Sequence, residues 1–234
     1  TLELGGKSPQ IVFADADLER AVPVILNAII QHAGQTCTAG SRVLIERPVY
    51  DKVIAMLGER FDALRVGPGR SDPDVGPVVN HRQRSKINGM LAEAESRGVR
   101  VAGRGQLVDG APADGCYVLP TLFADVALSD DLAQKEVFGP VLAASVFDSE
   151  DEAIEMANGT EYGLCAGIWT RDGARQLRLA HALEAGQVFV NNYGAGGGIE
   201  LPFGGMKHSG YGREKGFEGL VGFTTLKTIA IQHG

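Results

Sequence analysis

The sequence predicts an α/β fold, a largely parallel sheet with helices packed against it. Short apolar, β-branched runs alternate along the chain with amphipathic segments of helical length, and strands linked through helices run parallel in one sheet. The 234 residues, 44% of them apolar, are also enough to bury the core that such a sheet requires.

Residues 10–13 read as the first strand. Asp15 and Asp17 then offer a cap and first-turn acids for a helix whose apolar face is Leu18, Ala21, Val22, Ile25, Ala28 and Ile29. That face keeps the i, i+3, i+4, i+7 spacing of a helix on a core, and helical order should fail at Gly34. Residues 42–46 are a second strand, and Pro48 opens a helix with Val49, Tyr50, Val53, Ile54, Leu57 and Phe61 on one side. Glycine, proline and aspartate make 67–77 a loop. A helix over 83–97 and strand pieces near 99–102 and 117–123 follow. Strands over 141–147, 164–170 and 187–191 then alternate with helices over 150–158 and 174–183. The glycine-rich stretch from 202 to 222 has little periodicity. The β-branched run 223–232 is a lone terminal strand in need of a partner edge.

With 22 basic and 29 acidic side chains, the net charge is −7, and no basic run offers a footprint for nucleic acid or an anionic lipid surface. The longest uncharged stretch, 21–41, contains Pro23, Asn27, Gln31, His32 and two glycines, so it is no membrane span. Three scattered cysteines, Cys37, Cys116 and Cys165, suit a reducing compartment such as the cytoplasm. The five histidines share no metal-ligand spacing with one another or with the cysteines, so no metal is expected. Neither Gly6-Lys7-Ser8 nor the glycines at 194–198 complete a phosphate-binding fingerprint. The chain begins at Thr1, without an initiator Met, and is expected to be part of something longer.

Two residues have the chemistry of a reaction centre. Cys37 lies among small and hydroxylated neighbours, Gly34-Gln35-Thr36-Cys37-Thr38-Ala39-Gly40-Ser41, with Arg42 five positions on. Exposed amides or a nearby cation there would lower the thiol pKa and favour the nucleophilic thiolate. A lone cysteine is otherwise a small buried hydrophobe, which is how Cys116 and Cys165 read. Glu3, between Leu2 and Leu4, is placed to lose water and rise toward the pKa of a general base. A solvated surface glutamate is the alternative.

Several motifs occur in order along nearly the whole chain: Glu3-Leu4-Gly5-Gly6-Lys7-Ser8-Pro9, Gly34 to Ala39 around Cys37, and Gly76-Pro77 with Gln83, Lys86 and Ile87. Glu136-Val137-Phe138-Gly139-Pro140, Val190-Asn191, and Pro202-Phe203-Gly204-Gly205 with Lys207, Ser209, Gly210 and Gly212-Arg213-Glu214 complete the series. Together they resemble the C-terminal half of the aldehyde dehydrogenase superfamily.

The resemblance implies an aldehyde substrate oxidised to a carboxylic acid with NAD or NADP. Cys37 would attack the carbonyl to give a thiohemiacetal, which passes hydride to the nicotinamide and leaves a thioester. Glu3 would activate the water that releases the acid, and the Cys37 amide would be one oxyanion donor. Relatives that transfer the acyl group to coenzyme A typically lack this glutamate. Glu136 would bind the nicotinamide ribose, Phe138 would pack beside the ring, and Gln83 would contact the other ribose. Thr38, Asn191, Gly197, Ile199 and Glu200 would lie along the substrate tunnel, Asn191 tying a backbone turn there. Lys7, Pro140, Phe203, Gly204 and Gly205 would be scaffold.

The resemblance further implies a catalytic domain over 1–203, a glycine-rich segment over 204–222 and an oligomerisation strand over 223–234 serving a homodimer or homotetramer. The nucleotide-binding domain would lie before Thr1, so the fragment alone is expected to be deficient in hydride transfer. Two positions depart from the family pattern. Residues 194–201 supply no ring where relatives have an aromatic-rich segment, which suggests a wide or adaptable tunnel. Phe189 stands where tryptophan is common and reads as an adjustment of the core. Two other functions compete: cofactor-independent thiol esterase activity, and a non-catalytic self-associating fragment. A cysteine protease is disfavoured, because no histidine motif supports Cys37.

Overall fold

The computed structural model describes residues 1–194 and 198–234. Its centre is a seven-stranded sheet of β1 (Pro9–Val12), β2 (Arg42–Glu46), β3 (Arg100–Arg104), β4 (Thr121–Ala124), β5 (Val141–Phe147), β6 (Cys165–Trp169) and β7 (Gln187–Val190). The order across the sheet is β7-β6-β1-β2-β5-β4-β3. Every pairing is parallel except β3 with β4 at one edge.

Among the described residues, seven α-helices accompany the strands: α1 (Leu18–Ile30), α2 (Tyr50–Asp62), α3 (His81–Ser96), α4 (Asp131–Gln134), α5 (Glu150–Asn158), α6 (Gly173–Ala182) and α7 (Gly216–Val221). Asp17, Asn80, Ser149 and Asp172 cap α1, α3, α5 and α6 through side-chain oxygens, meeting amides that would otherwise lack partners. Strand periodicity sorts the core. Val12, Val43, Ile45, Leu142 and Ala144 face one side and pack with Ile25 of α1 and Phe61 of α2. Ile11, Leu44 and Phe147 face the other side with Met156 of α5 and Leu179 of α6. Each of the larger apolar side chains among them, fully buried, contributes about 1.5–3 kcal/mol.

Arg42, 2% exposed at the start of β2, ties the layers together. Its Nε donates to the Lys7 carbonyl at 2.9 Å, and Nη1 and Nη2 donate to the Met156 and Ala157 carbonyls at 2.8 and 2.7 Å. Arg42→Met should cost about 3–5 kcal/mol in urea unfolding, because three buried carbonyls lose a charged donor at once.

The expected aperiodic stretch after Pro202 contains short regular pieces. Met206–Lys207 pairs with Tyr162–Gly163, and Gly210–Tyr211 pairs antiparallel with Leu2–Glu3. Two-residue ladders are too short to leave a periodic signal. The expected terminal strand makes no ladder among the described residues, and Phe223, Leu226, Ile229 and Ile231 are all exposed. Among the described residues no helix is long and apolar enough to cross a membrane.

Candidate active site

Cys37 sits where helical order is abandoned. After α1 the chain enters a tight turn, Gln31–Gly34, in which His32 and Ala33 take left-handed φ of 51° and 55°, and Gly34 follows at 72°. A Cβ on Gly34 would collide with the backbone of Gly139. The glycine therefore lets the loop of Cys37 lie against the loop of Glu136 and Phe138. Gln35 braces the turn, donating to the His32 carbonyl and accepting from the Val79 amide.

A second close approach brings in the N-terminal segment. A Cβ on Gly6 would overlap the Cys37 carbonyl oxygen, while the Gly6 amide donates to Glu136 Oε1 at 3.0 Å. The stretch from Glu3 to Lys7 is thus anchored to both loops.

The thiol is half-buried. Burial is the main cause that raises its pKa; the amides of Cys37 and Thr38 oppose the rise, and the carboxylates of Glu136 and Glu3 add to it. This reverses the expectation of a depressed value. Arg42, the cation five positions on, gives its guanidinium to the three buried carbonyls described above. The resting site is a thiol that needs a base, rather than a standing thiolate.

Glu3 is set opposite Gly210 in the short antiparallel pairing. Both carboxylate oxygens are enclosed and accept no hydrogen bond from the described residues. Burial first, then the Glu214 carboxylate, hold its pKa above the usual carboxylate range, with Arg213 opposing. That is the environment of a general base rather than of a surface glutamate.

Glu136 is half-buried, and burial raises its pKa against the Gly6 amide, Lys86 and Lys7. Its Oε2 rests where a Cβ on Gly5 would intrude. Phe138 follows at a positive φ of 56°. Gln83 Nε2 donates to the Phe138 carbonyl at 2.8 Å and the Val137 carbonyl at 3.4 Å, fixing the loop from α3. A half-buried carboxylate cradled by Gly5 and Gly6 has the chemistry to accept hydrogen bonds from the hydroxyls of a ribose. Lys7 is buried, with no hydrogen-bond partner for its ammonium among the described residues. Burial pushes its pKa down to about 7.

Next to Cys37 lies a cavity of about 170 Å³. Thr38, Cys165, Gln187, Phe189, Tyr193, Phe203 and Lys215 are among the residues around it. Register explains the wall: Cys165 pairs with Gln187 and Gly167 with Phe189, so all four fall on one face of β6 and β7. Tyr193 closes that face, its ring edge-on to Phe189 at 5.4 Å, and its hydroxyl donates to the Thr38 carbonyl at 2.7 Å.

Residues 1–229 match the model of the aldehyde dehydrogenase family. The chain belongs to that family. It is 43% identical over 239 residues to a betaine aldehyde dehydrogenase of Cereibacter sphaeroides and 40% identical over 235 residues to that of Sinorhizobium fredii, covering 100% of this chain and 48% of each relative. The chain therefore spans about half the length of the relatives it matches.

A Burkholderia cenocepacia protein assigned to the aldehyde dehydrogenases superposes with a TM-score of 0.98 at 64% identity, over 100% of this chain and 49% of its own. The betaine aldehyde dehydrogenase of Staphylococcus aureus, solved with NAD+, superposes with a TM-score of 0.89 at 39% identity, over 95% of this chain and 44% of its own.

Of the residues expected in the tunnel of this family member, Thr38 borders the cavity. Asn191 does not: its side chain donates to the Thr170 carbonyl and accepts from the Thr170 amide, locking β7 to the end of β6. Ile199, 82% exposed, and Glu200 lie at the surface, and Gly197 lies outside the described residues. Phe189 and Phe203, expected to fill core and scaffold, both face the cavity. Cys165 is buried as expected, yet it also borders the cavity. Burial, and then Cys37 and Glu3, push its pKa up to about 12. Strand alternation was the available signal for this wall. Among the described residues, no group of three or more His, Cys, Asp or Glu is placed to hold a metal ion.

Proposed function

We propose that the chain is the catalytic half of an NAD-dependent aldehyde dehydrogenase that forms a carboxylic acid. The observation that carries this reading is the convergence of Cys37, Glu3 and Glu136, with Glu3 and Glu136 both acting electrostatically on the thiol. Cys37 adds to the aldehyde carbonyl as its proton passes toward Glu3. The amide N–H groups of Cys37 and Thr38, already facing the sulfur, are placed to meet the developing oxyanion. A nicotinamide coenzyme, when bound, would supply the hydride acceptor, with Glu136 and Phe138 the residues that would hold it. Once that first proton has passed to solvent, Glu3 takes a proton from the water that attacks the Cys37 thioester and returns it to the leaving sulfur, releasing acid and free thiol.

Glu136 is the residue that would hold the ribose, with Phe138 beside the ring and Gln83 fixing both from behind. NAD is the coenzyme chosen, in keeping with the NAD+ complexes of the structural neighbours. The family supports an aldehyde as the substrate class; the betaine aldehyde of the relatives' names is one member of that class. A cytoplasmic setting belongs to the same proposal.

The test is NADH formation, followed at 340 nm, by the protein at its native length across a panel of aldehydes. One NADH and one carboxylic acid per aldehyde is the expected stoichiometry. Absence of NADH with every aldehyde would overturn the reading. The residues 1–234 by themselves should form NADH far more slowly, because Glu136, Phe138 and Gln83 are only part of a coenzyme site.

The exposed apolar run at the C-terminus belongs to the same proposal as a strand that pairs with another subunit. Deleting residues 224–231 should shift sedimentation of the native-length protein to a smaller species.

A further inference from the structure

Cys37 occupies a corner of a tight turn. The Ala39 amide closes that turn on the Thr36 carbonyl at 3.1 Å, which puts Cys37 and Thr38 at its two central positions. The amides of both residues face the sulfur. A peptide unit is planar and trans, so its carbonyl and its N–H point opposite ways. The Cys37 carbonyl is lodged against Gly6, on the side where a Cβ would stand, and the Thr38 N–H is thereby turned to the sulfur. The peptide unit that follows is held at both ends. Its N–H, from Ala39, donates to the Thr36 carbonyl, and its carbonyl, from Thr38, accepts from the Tyr193 hydroxyl at 2.7 Å.

Tyr193 reaches this turn from a segment 155 residues away in sequence, and local bonds lock it in place. Asn191, at a left-handed φ of 51° and tied to Thr170 through its side chain, turns the chain back after β7. The Tyr193 amide then donates to Asn192 Oδ1 at 2.8 Å. Its ring lies over Gly167 of β6, where a Cβ would stand 3.1 Å from it, and edge-on to Phe189. Burial, and after it the Cys165 thiol, hold the phenol pKa well above its ordinary value. The hydroxyl therefore keeps its proton near neutral pH and remains a donor.

We propose that Tyr193 is a positioning residue: by holding the Thr38 carbonyl it keeps the amides of Cys37 and Thr38 aimed at the sulfur and at the oxyanion formed beside it, a role that rests on the reading of Cys37 as the nucleophile of an aldehyde dehydrogenase. Amides aimed at the sulfur favour the thiolate. The other ionisable groups around the sulfur are Glu3 on the N-terminal segment, Glu136 on the loop before β5 and Cys165 on β6. Tyr193→Phe leaves all three in place and removes no charge, so a change in thiol ionisation reports on the amides.

The experiment follows alkylation of Cys37 by iodoacetamide against pH, read by peptide mass spectrometry on the protein at its native length without coenzyme. Steady-state oxidation of butanal is measured beside it. Alkylation consumes the thiolate and builds no oxyanion, so it reads ionisation apart from turnover. Tyr193→Phe should raise the midpoint pH of alkylation by about 0.5–1 unit and lower kcat about tenfold, the scale of weakening one hydrogen bond, with the KM for NAD unchanged. Replacing Tyr193 by 4-aminophenylalanine, which puts an amine donor at the same ring position, should return both values toward the wild type.

A lower kcat with an unmoved alkylation midpoint would overturn the proposal, since a general loosening of the site does the same. So would a raised midpoint that the amine donor fails to reverse, or a kcat equal to that of the wild type. If the wild type forms NADH with no aldehyde while Tyr193→Phe still raises the midpoint, the aldehyde dehydrogenase reading fails and the support that Tyr193 gives the turn stands.

Discussion

Cys37→Ala should abolish aldehyde oxidation, lowering kcat by at least about a thousandfold, the scale of loss expected when a covalent nucleophile is removed. The substitution trims one sulfur from a half-buried position and leaves Glu136, Phe138 and Gln83 untouched, so coenzyme binding should persist in titration calorimetry. Burial and the two carboxylates hold the thiol above its ordinary pKa, and a rise of activity with pH should therefore accompany its ionisation in the wild type. Retention of NADH formation by Cys37→Ala would remove Cys37 from the chemistry. The same variant should also lose any hydrolysis of activated esters, which needs the thiol and Glu3 but no coenzyme.

Glu3→Gln should act later in the cycle. Acylation would still occur, while attack of water on the thioester loses its base, a loss of about 10²–10⁴ in kcat. One NADH per site should appear as a burst, and intact mass should show the acyl group on the protein. The acid limb of the wild-type pH profile should lie above the usual carboxylate range, because burial and Glu214 both resist ionisation of Glu3. As pH falls through that raised value, Glu3 takes up a proton and ceases to be a base. Glu214→Gln removes a like charge and should move the limb to lower pH. An unmoved limb would show that another group sets it.

The fold was largely legible because its signals are local. The face of α1, from Leu18 through Ile29, and the runs that became β2 and β5 announce themselves within a few turns or pleats. Cys37, Glu3 and Glu136 were legible through motif order, not through physics, since nothing local says that residues 3, 37 and 136 meet. The cavity wall escaped because it depends on register. Cys165 beside Gln187, and Gly167 beside Phe189, are neighbours only once two strands have been laid side by side. The same holds for Arg42: its five-residue distance from Cys37 suggested an electrostatic partner, whereas the strand start sends the guanidinium toward the end of α5.

The short ladder between Leu2–Glu3 and Gly210–Tyr211 has a consequence for how the protein is made. On the ribosome, the segment holding Cys37 emerges well before the strand at Gly210–Tyr211, so the ladder that seats Glu3 waits for that later strand. Contacts of such separation close late in folding. Until then Glu3 is not seated beside Cys37, so on the proposed mechanism synthesis itself would keep the thiol idle in the unfinished polypeptide. A C-terminal truncation before Gly210 would prolong that idle state indefinitely.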